Sequence, residues 1–278
     1  MSDPRITPAR PDLAAARLKG KVEAARFADG TLRMVARGRA GLHAERDAAS
    51  RRETELLFGE GFTVYEVANG WAWGQSALDD YVGYVAAGDL RDVGATPDHR
   101  VIAPLTPLLP APDFKLPVRD MLPMNAKVKV VGQDGRFAKI APEGFVFAGH
   151  LAPIRQTASD WVAVAERFRG VPYVWGGKTV AGIDCSGLVQ TSLEAGGIAA
   201  PRDADMQELA LGIAIPPDLS RLARGDLVFW TDHVGVMLDA VRLLHANAFY
   251  MEAAVEPLAD AAGRIANRAG PITSIKRL

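Results

Sequence analysis

The residues with the most chemistry in this chain are Asp184-Cys185-Ser186-Gly187-Leu188-Val189, which hold its only cysteine. Behind them runs a helical pattern, with Leu188, Val189 and Leu193 on one face and Gly196-Gly197 as a stop signal. Asp184 suits the N-cap position. Cys185 then falls in the first turn, among N–H groups without intrahelical partners and at the positive end of the helix dipole. A free thiol has a pKa of about 8.5, and such a place beside a basic group brings it to roughly 3.5–7.5. A lone cysteine is by frequency more often an inert, buried apolar residue, so the sulfur needs a partner before it counts as a nucleophile.

Nucleophilic cysteine catalysis needs a base that holds and returns the proton and a third polar group that orients the base. The chain has five histidines, His43, His99, His150, His233 and His245, and the last two fall in consecutive strand-like runs. His233, Gly235 and Met237 share one face of the first run, and Leu243, His245 and Asn247 share one face of the second. A short hairpin about Asp239 to Val241 would set the two histidines opposite each other, whereas a longer loop would shift the register. Taken singly, each histidine also reads as an ordinary surface or hydrogen-bonded strand residue. None of the five shows metal-ligand spacing and one cysteine excludes a Cys-rich zinc site, so no metal or cofactor is expected.

Positioning these groups requires a sizeable scaffold. The chain has 278 residues, 49% hydrophobic and 23% charged, which is ordinary for a globular protein of two or three domains. A net charge of −1 gives no electrostatic case for a nucleic acid or anionic membrane partner. The lone cysteine excludes an internal disulfide framework. The longest small-apolar run near the start, Leu13 to Ala16, is too short for a signal h-region, and no span approaches a membrane helix. A cytoplasmic location is therefore expected.

Three regions separate along the chain. Residues 1–95 open with a Pro-rich lead and a helical patch at Leu13 to Leu18. Strand signals follow at Leu56 to Glu60, Phe62 to Val67, Trp71 to Gly74 and Tyr81 to Val85, with Asn69-Gly70 as a hairpin turn. Trp71 and Trp73 read as barrel core and interface. Residues 96–152 repeat the theme at Val101 to Ala103, Ala126 to Val131, Arg136 to Ile140 and Gly144 to Phe147, with a proline-rich loop after the first of these. Short strands at this spacing predict two small β-barrels, two copies of one fold. Residues 153–278 change character: a helix from an Ser159 N-cap through Phe168, the Cys185 helix, then strands at Asp226 to Trp230, Val234 to Leu238 and Leu243 to Ala248. That order predicts an α+β domain. The tail around Ala259 to Ala269 is uninformative.

Residues 171–250 resemble the NlpC-type peptidoglycan cysteine peptidases, a papain-like family. The resemblance rests on Val171-Pro172-Tyr173-Val174-Trp175-Gly176-Gly177, the Asp184 to Val189 segment, Pro201-Arg202-Asp203 with Gln207 and Gly212, Gly225 to Trp230, and His233-Val234-Gly235-Val236. It implies a multidomain chain with two SH3-like barrels before an α+β papain-like peptidase domain. It also implies Cys185 as nucleophile, His233 as base and later acid, His245 as the group orienting His233, and Tyr173 with the Cys185 N–H as oxyanion donors. With barrels ahead and Arg202-Asp203 after the cysteine, the chain is similar to γ-D-glutamyl-L-diamino acid endopeptidases, which act on peptides with a free amino-terminal L-alanine. A buried ammonium needs a carboxylate, and by this similarity Asp203 supplies it while Trp175 and Ser186 contact substrate. Glu60 and Tyr81 from the first barrel are implied in the same role, against simpler readings as a turn residue and as barrel packing. Ala204 stands where the family often has serine.

The implied partner is a short L-Ala-γ-D-Glu-diamino acid peptide, met in cell-wall recycling. Two other readings stay open: a thiol acyltransferase or amidase on the same scaffold, and a non-catalytic binder of wall fragments. The preferred diamino acid and the oligomeric state are not legible in the sequence.

Overall fold

The computed structural model describes residues 3–142, 144–216 and 219–278, apart from the Ser220 side chain. The chain divides into two compact units, Met1–Gln156 and Thr157–Leu278. Among the described residues, no helix is long and apolar enough to cross a membrane.

Alternating strands joined by tight turns build the first unit. Seven antiparallel strands lie in the order Arg52–Leu57, Arg39–His43, Val82–Ala86, Trp71–Ser76, Gly61–Ala68, Thr31–Val35 and Leu90–Asp92. Asn69 and Gly70, at φ of 53° and 78°, form the two-residue turn between Ala68 and Trp71; its twist matches that of the strands it joins. Inward-facing Leu42, Leu56, Phe62, Val64 and Val85 make the core, and Tyr81 belongs to it. Trp73 is buried as well, with the Arg10 guanidinium stacked 4.3 Å from its ring centre. A second sheet of five antiparallel strands runs Phe145–Phe147, Phe137–Ala141, Lys127–Asp134, His99–Val101, Leu151–Pro153. Its core is centred on Val101, Leu122, Val128, Ile140 and Val146. The proline-rich stretch carries one short hairpin, Leu105–Leu108 against Asp120–Pro123.

One expectation fails here. Leu13 to Leu18 is not an α-helix but a two-residue strand, Ala14–Ala15, followed by a turn of 3-10 helix. Ala14 and Ala15 pair with Phe27 and Ala28, and Leu13 to Ala15 are buried, so tertiary pairing overrides the helix propensity of alanine.

The second unit starts with α1 (Trp161–Glu166). Its N-cap is Asp160, not Ser159: the carboxylate accepts from the Val162 and Ala163 N–H groups at 2.9 and 3.0 Å. The regular helix also stops short of Phe168, because Arg167 and Phe168 turn to i→i−3 bonds with Val164 and Ala165. Then come α2 (Cys185–Ala195) and α3 (Ala204–Ala210). Six antiparallel strands follow: β1 (Ile213–Ile215), β2 (Leu227–Trp230), β3 (His233–Met237), β4 (Arg242–Asn247), β5 (Glu252–Pro257) and β6 (Ser274–Arg277). Their order in the sheet is β1-β6-β2-β3-β4-β5. The tail that carries little sequence signal is a fourth helix, α4 (Leu258–Ala269), between β5 and β6.

Although one apolar face is what its sequence suggests, α2 is buried on nearly all sides, from Cys185 through Leu193, and it packs against β3. Two of its buried hydroxyls bond to backbone: Ser192 donates to the Leu188 carbonyl at 2.7 Å and Thr191 to the Lys178 carbonyl at 3.1 Å. Asp184 fixes its start. One carboxylate oxygen accepts from the Gly187 amide at 2.7 Å and Arg202 Nη1 at 3.0 Å; the other accepts from the Gly176 amide at 2.8 Å and Arg202 Nη2 at 2.6 Å. Residue 187 must be glycine, because a Cβ there would lie 2.2 Å from the Gly177 carbonyl oxygen. The pair is buried, with Arg202 1% exposed, so each charge depends on the other. Arg202→Ala is expected to cost about 3–5 kcal/mol of stability, read as a lower urea midpoint at unchanged m-value. A loss below about 1 kcal/mol, the range of exposed pairs, would contradict this account of the helix start.

Candidate active site

Cys185 is the first residue of α2 and 8% exposed. The Val234 and Ser186 amides favour its thiolate, and α2 packs against β3, so the thiol lies near the start of that strand. Burial and the neighbouring Asp184 charge nevertheless push the thiol up to about 12, against the pull of the Val234 amide, Arg202 and the Ser186 amide. Burial thus works against the thiolate that a helix start by itself favours.

The hairpin between β3 and β4 turns at Asp239 to Val241, as its sequence suggests. The Asp239 carboxylate accepts from the Val241 and Arg242 amides at 2.9 and 2.7 Å. Met237 pairs with Leu243 and Val236 with Leu244. Carried outward, that register sets Gly235 opposite His245, so His233 and His245 are diagonal neighbours on one face and not directly opposed. They still meet: His233 Nε2 and His245 Nδ1 are 2.8 Å apart, with ring centres at 5.0 Å and planes at 67°. The diagonal approach needs glycine between them. A Cβ on residue 235 would fall 2.7 Å from Leu243 Cδ1 and 3.1 Å from the His245 Cβ.

His245 is fully buried, and its second ring nitrogen, Nε2, lies 2.7 Å from Glu256 Oε1. Glu256 is the penultimate residue of β5 and is held on its other side by Arg264 of α4 and, at 3.3 Å, by the Tyr250 hydroxyl. Burial pushes this carboxyl up, but the His245 hydrogen bond, Arg264 and Tyr250 together hold it below its ordinary range. Glu256 and Arg264 are the site residues that the sequence reading passes over. The available signal was a single acid closing the apolar run Ala253-Ala254-Val255 in the strand after His245.

Tyr173 is half-buried. Its amide donates to the Met251 carbonyl at 2.8 Å, which fastens the segment before α2 to the β5 end of the sheet. Burial, then the Cys185 and Asp184 charges, push its phenol above the ordinary value, so the hydroxyl keeps its proton as a donor. Trp175 is 55% exposed. Asp203 precedes α3 without its side chain capping that helix. Ser186, for which a substrate contact is implied, has its hydroxyl accepting from Arg202 Nη1 at 2.8 Å and donating to Asp184 Oδ1 at 3.4 Å, so it braces the buried pair. Ala204 is buried. Glu60 and Tyr81 belong to the first unit. Glu60 is buried there with Oε2 accepting from the Leu57 amide at 3.0 Å, and Tyr81 lies in the core. Among the described residues, no group of three or more His, Cys, Asp or Glu could hold a metal ion.

A cysteine at the start of a buried helix, facing a strand whose histidine is tied to a second histidine, now has a counterpart. Residues 170–262 match the NlpC/P60 family and residues 42–90 the bacterial dipeptidyl-peptidase SH3 domain. The chain carries an NlpC/P60 domain preceded by a bacterial SH3 domain. A Bacillus subtilis protein named gamma-D-glutamyl-L-lysine dipeptidyl-peptidase is 32% identical over 147 residues, covering 48% of this chain and 47% of that protein. Dipeptidyl-peptidase 6 of Lysinibacillus sphaericus is 34% identical over 110 residues, 39% of this chain and 37% of that one. The match thus spans half or less of these relatives. The crystal structure of an NlpC/P60 family protein from Bacillus cereus superposes with a TM-score of 0.76 at 18% identity, over 89% of this chain and 99% of that one, which shows a shared fold.

In the NlpC/P60 domain, burial, then His245 and Arg264, pull His233 down to about 3, against about 6.5 for histidine in an unfolded chain. Between those values the unfolded state binds the extra proton, so stability is present above about pH 6.5 and is lost as the pH falls toward 3. Urea unfolding of the wild type should weaken over that interval by more than that of His233→Gln. Identical pH dependence in the two would contradict the buried, neutral imidazole.

Proposed function

We propose that the protein is a cysteine endopeptidase that cleaves the γ-D-glutamyl–diamino acid bond of short peptidoglycan peptides bearing a free amino-terminal L-alanine. The observation that carries the reading is a cysteine at the start of a helix packed on β3, the strand whose His233 is joined to His245 at 2.8 Å. The names of the relatives support the bond and the substrate class, and lysine is the diamino acid in one of them.

In this reading the resting pair is a neutral thiol and a neutral imidazole. Cys185 attacks the γ-carbonyl carbon while His233 takes its proton, and the oxyanion is held by the Cys185 N–H and the Tyr173 hydroxyl. Each such donor lowers the barrier by roughly 3 kcal/mol. The tetrahedral adduct expels the diamino acid's α-amine, which leaves with the proton from His233. Water, deprotonated by His233, then splits the thioester, releasing the L-Ala-D-Glu dipeptide acid and restoring the thiol.

Asp203 supports recognition of the alanine ammonium, with Trp175 beside it on the substrate, while Ala204 offers no hydroxyl there. A free amine exists only on peptides already detached from the glycan, which supports a place in wall recycling in the cytoplasm. The domain division is proposed as 1–95, 96–152 and 153–278, with the five-stranded sheet as a second SH3-like barrel. Its support is an internal repeat. Gly83-Tyr84-Val85-Ala86-Ala87-Gly88-Asp89-Leu90 and Gly144-Phe145-Val146-Phe147-Ala148-Gly149-His150-Leu151 each form strand, 3-10 turn and strand. Their flanking backbone angles agree within about 5°.

The test is hydrolysis of L-Ala-γ-D-Glu-diaminopimelate and L-Ala-γ-D-Glu-L-Lys, each free and N-acetylated. Release of L-Ala-D-Glu from the free peptides is expected, with acetylation costing on the order of 100-fold or more in kcat/KM and Cys185→Ala inactive. Equal cleavage of acetylated peptide would remove the amine-recognition claim alone. Full activity of Cys185→Ala would overturn the nucleophile.

A further inference from the structure

We propose that Glu256 is a positioning residue that fixes the order of protons along the two histidines, and so makes His233 able to accept the proton of Cys185. The inference rests on the cysteine peptidase reading above and concerns residues beyond its three catalytic groups.

The argument is one of donors and acceptors. An ionised carboxylate accepts only, and a neutral imidazole has one N–H and one bare nitrogen. Glu256 Oε1 lies 2.7 Å from His245 Nε2, so the proton of a neutral His245 must be on Nε2 and its Nδ1 is bare. That bare nitrogen is 2.8 Å from His233 Nε2, which must therefore carry its proton there. His233 is left with Nδ1 as its only basic nitrogen. Reverse the first assignment and every later one reverses: His245 Nδ1–H would meet His233 Nε2, and the proton of His233 would occupy Nδ1. His233 would then have no free basic nitrogen for the proton of Cys185.

The surroundings keep Glu256 in the accepting state. The groups facing it are His245 from β4, Arg264 from α4 and the Tyr250 hydroxyl from the loop between β4 and β5; Asp260, at the start of α4, acts on Tyr250. All three act as donors to it in this assignment, and Arg264 keeps its charge at all working pH values. Arg264 thus opposes protonation of the carboxylate, and its charge also reaches His233. As the imidazolium of His233 forms, the negative charge of Glu256 lies behind His245 and stabilises it without touching substrate. Second-layer carboxylates of this kind set histidine tautomers elsewhere in protein chemistry.

The test compares wild type, Glu256→Gln, Glu256→Asp and Arg264→Gln by peptide turnover across pH and by the rate of Cys185 alkylation with iodoacetamide. Glu256→Gln is expected to lower kcat on the order of 10- to 100-fold with KM unchanged, and to slow alkylation. The acid limb of its pH profile should move to lower pH, because a negative charge near the base is gone. Glu256→Asp should recover part of the rate. Arg264→Gln should move the acid limb the other way, and it serves as the test if Glu256→Gln does not fold. Wild-type kcat, acid limb and alkylation rate in Glu256→Gln, or an unmoved limb in Arg264→Gln, would overturn the inference. Failure of the wild type to cleave any peptide would instead remove the peptidase reading, and the alkylation series would still judge Glu256.

Discussion

The site depends on one hydrogen bond, between His233 Nε2 and His245 Nδ1 at 2.8 Å. A hydrogen bond between two neutral imidazoles has a sense: one ring gives a proton and the other receives it. That sense decides whether the first ring can act as a base. Neither histidine can choose it alone, because both tautomers of a free imidazole are accessible. The choice is made one step further away, at a carboxylate clamped between a guanidinium and a phenol.

Three features of the sheet make this chain possible. The β3–β4 register places the two histidines diagonally, and the absence of a side chain at Gly235 lets His245 lie against the opposite strand. The antiparallel pairing of β4 with β5 puts Leu243 opposite Glu256 and Ala254 opposite His245, so the small Ala254 leaves the diagonal open for the carboxylate. On the other side, Asp184 and Arg202 hold the first turn of α2, the helix that packs against β3. A helix and a hairpin distant in sequence are thereby packed against one another, with a buried charge cluster at each end of the site.

Much of this was legible beforehand. The N-cap aspartate, the extent of α2, the Asn69-Gly70 turn and the Asp239 hairpin follow from local rules, and local rules act within a few residues. What was missed depends on contacts between distant segments. The strand at Ala14–Ala15 exists because Phe27-Ala28 pairs with it, against alanine's own preference. Asp160 caps α1 in place of Ser159, a choice between adjacent good caps that also carries an ion pair to Arg224. Ser186 is adjacent to the nucleophile, yet its hydroxyl points inward to an arginine sixteen positions later. Glu256 and Arg264 sit in a run that carries no motif, and only the folded sheet brings them to His245. The thiol shows the same division: the helix dipole is local, while the burial that opposes its ionisation is a property of the whole unit.

The most direct measurement of the central claim is a long-range nitrogen–proton correlation spectrum of the histidine side chains at neutral pH. The account predicts that His245 and His233 are both neutral and both carry their proton on Nε2, with Nδ1 bare in each. A spectrum showing His245 protonated on Nδ1, or either ring as an imidazolium in the resting protein, would contradict it.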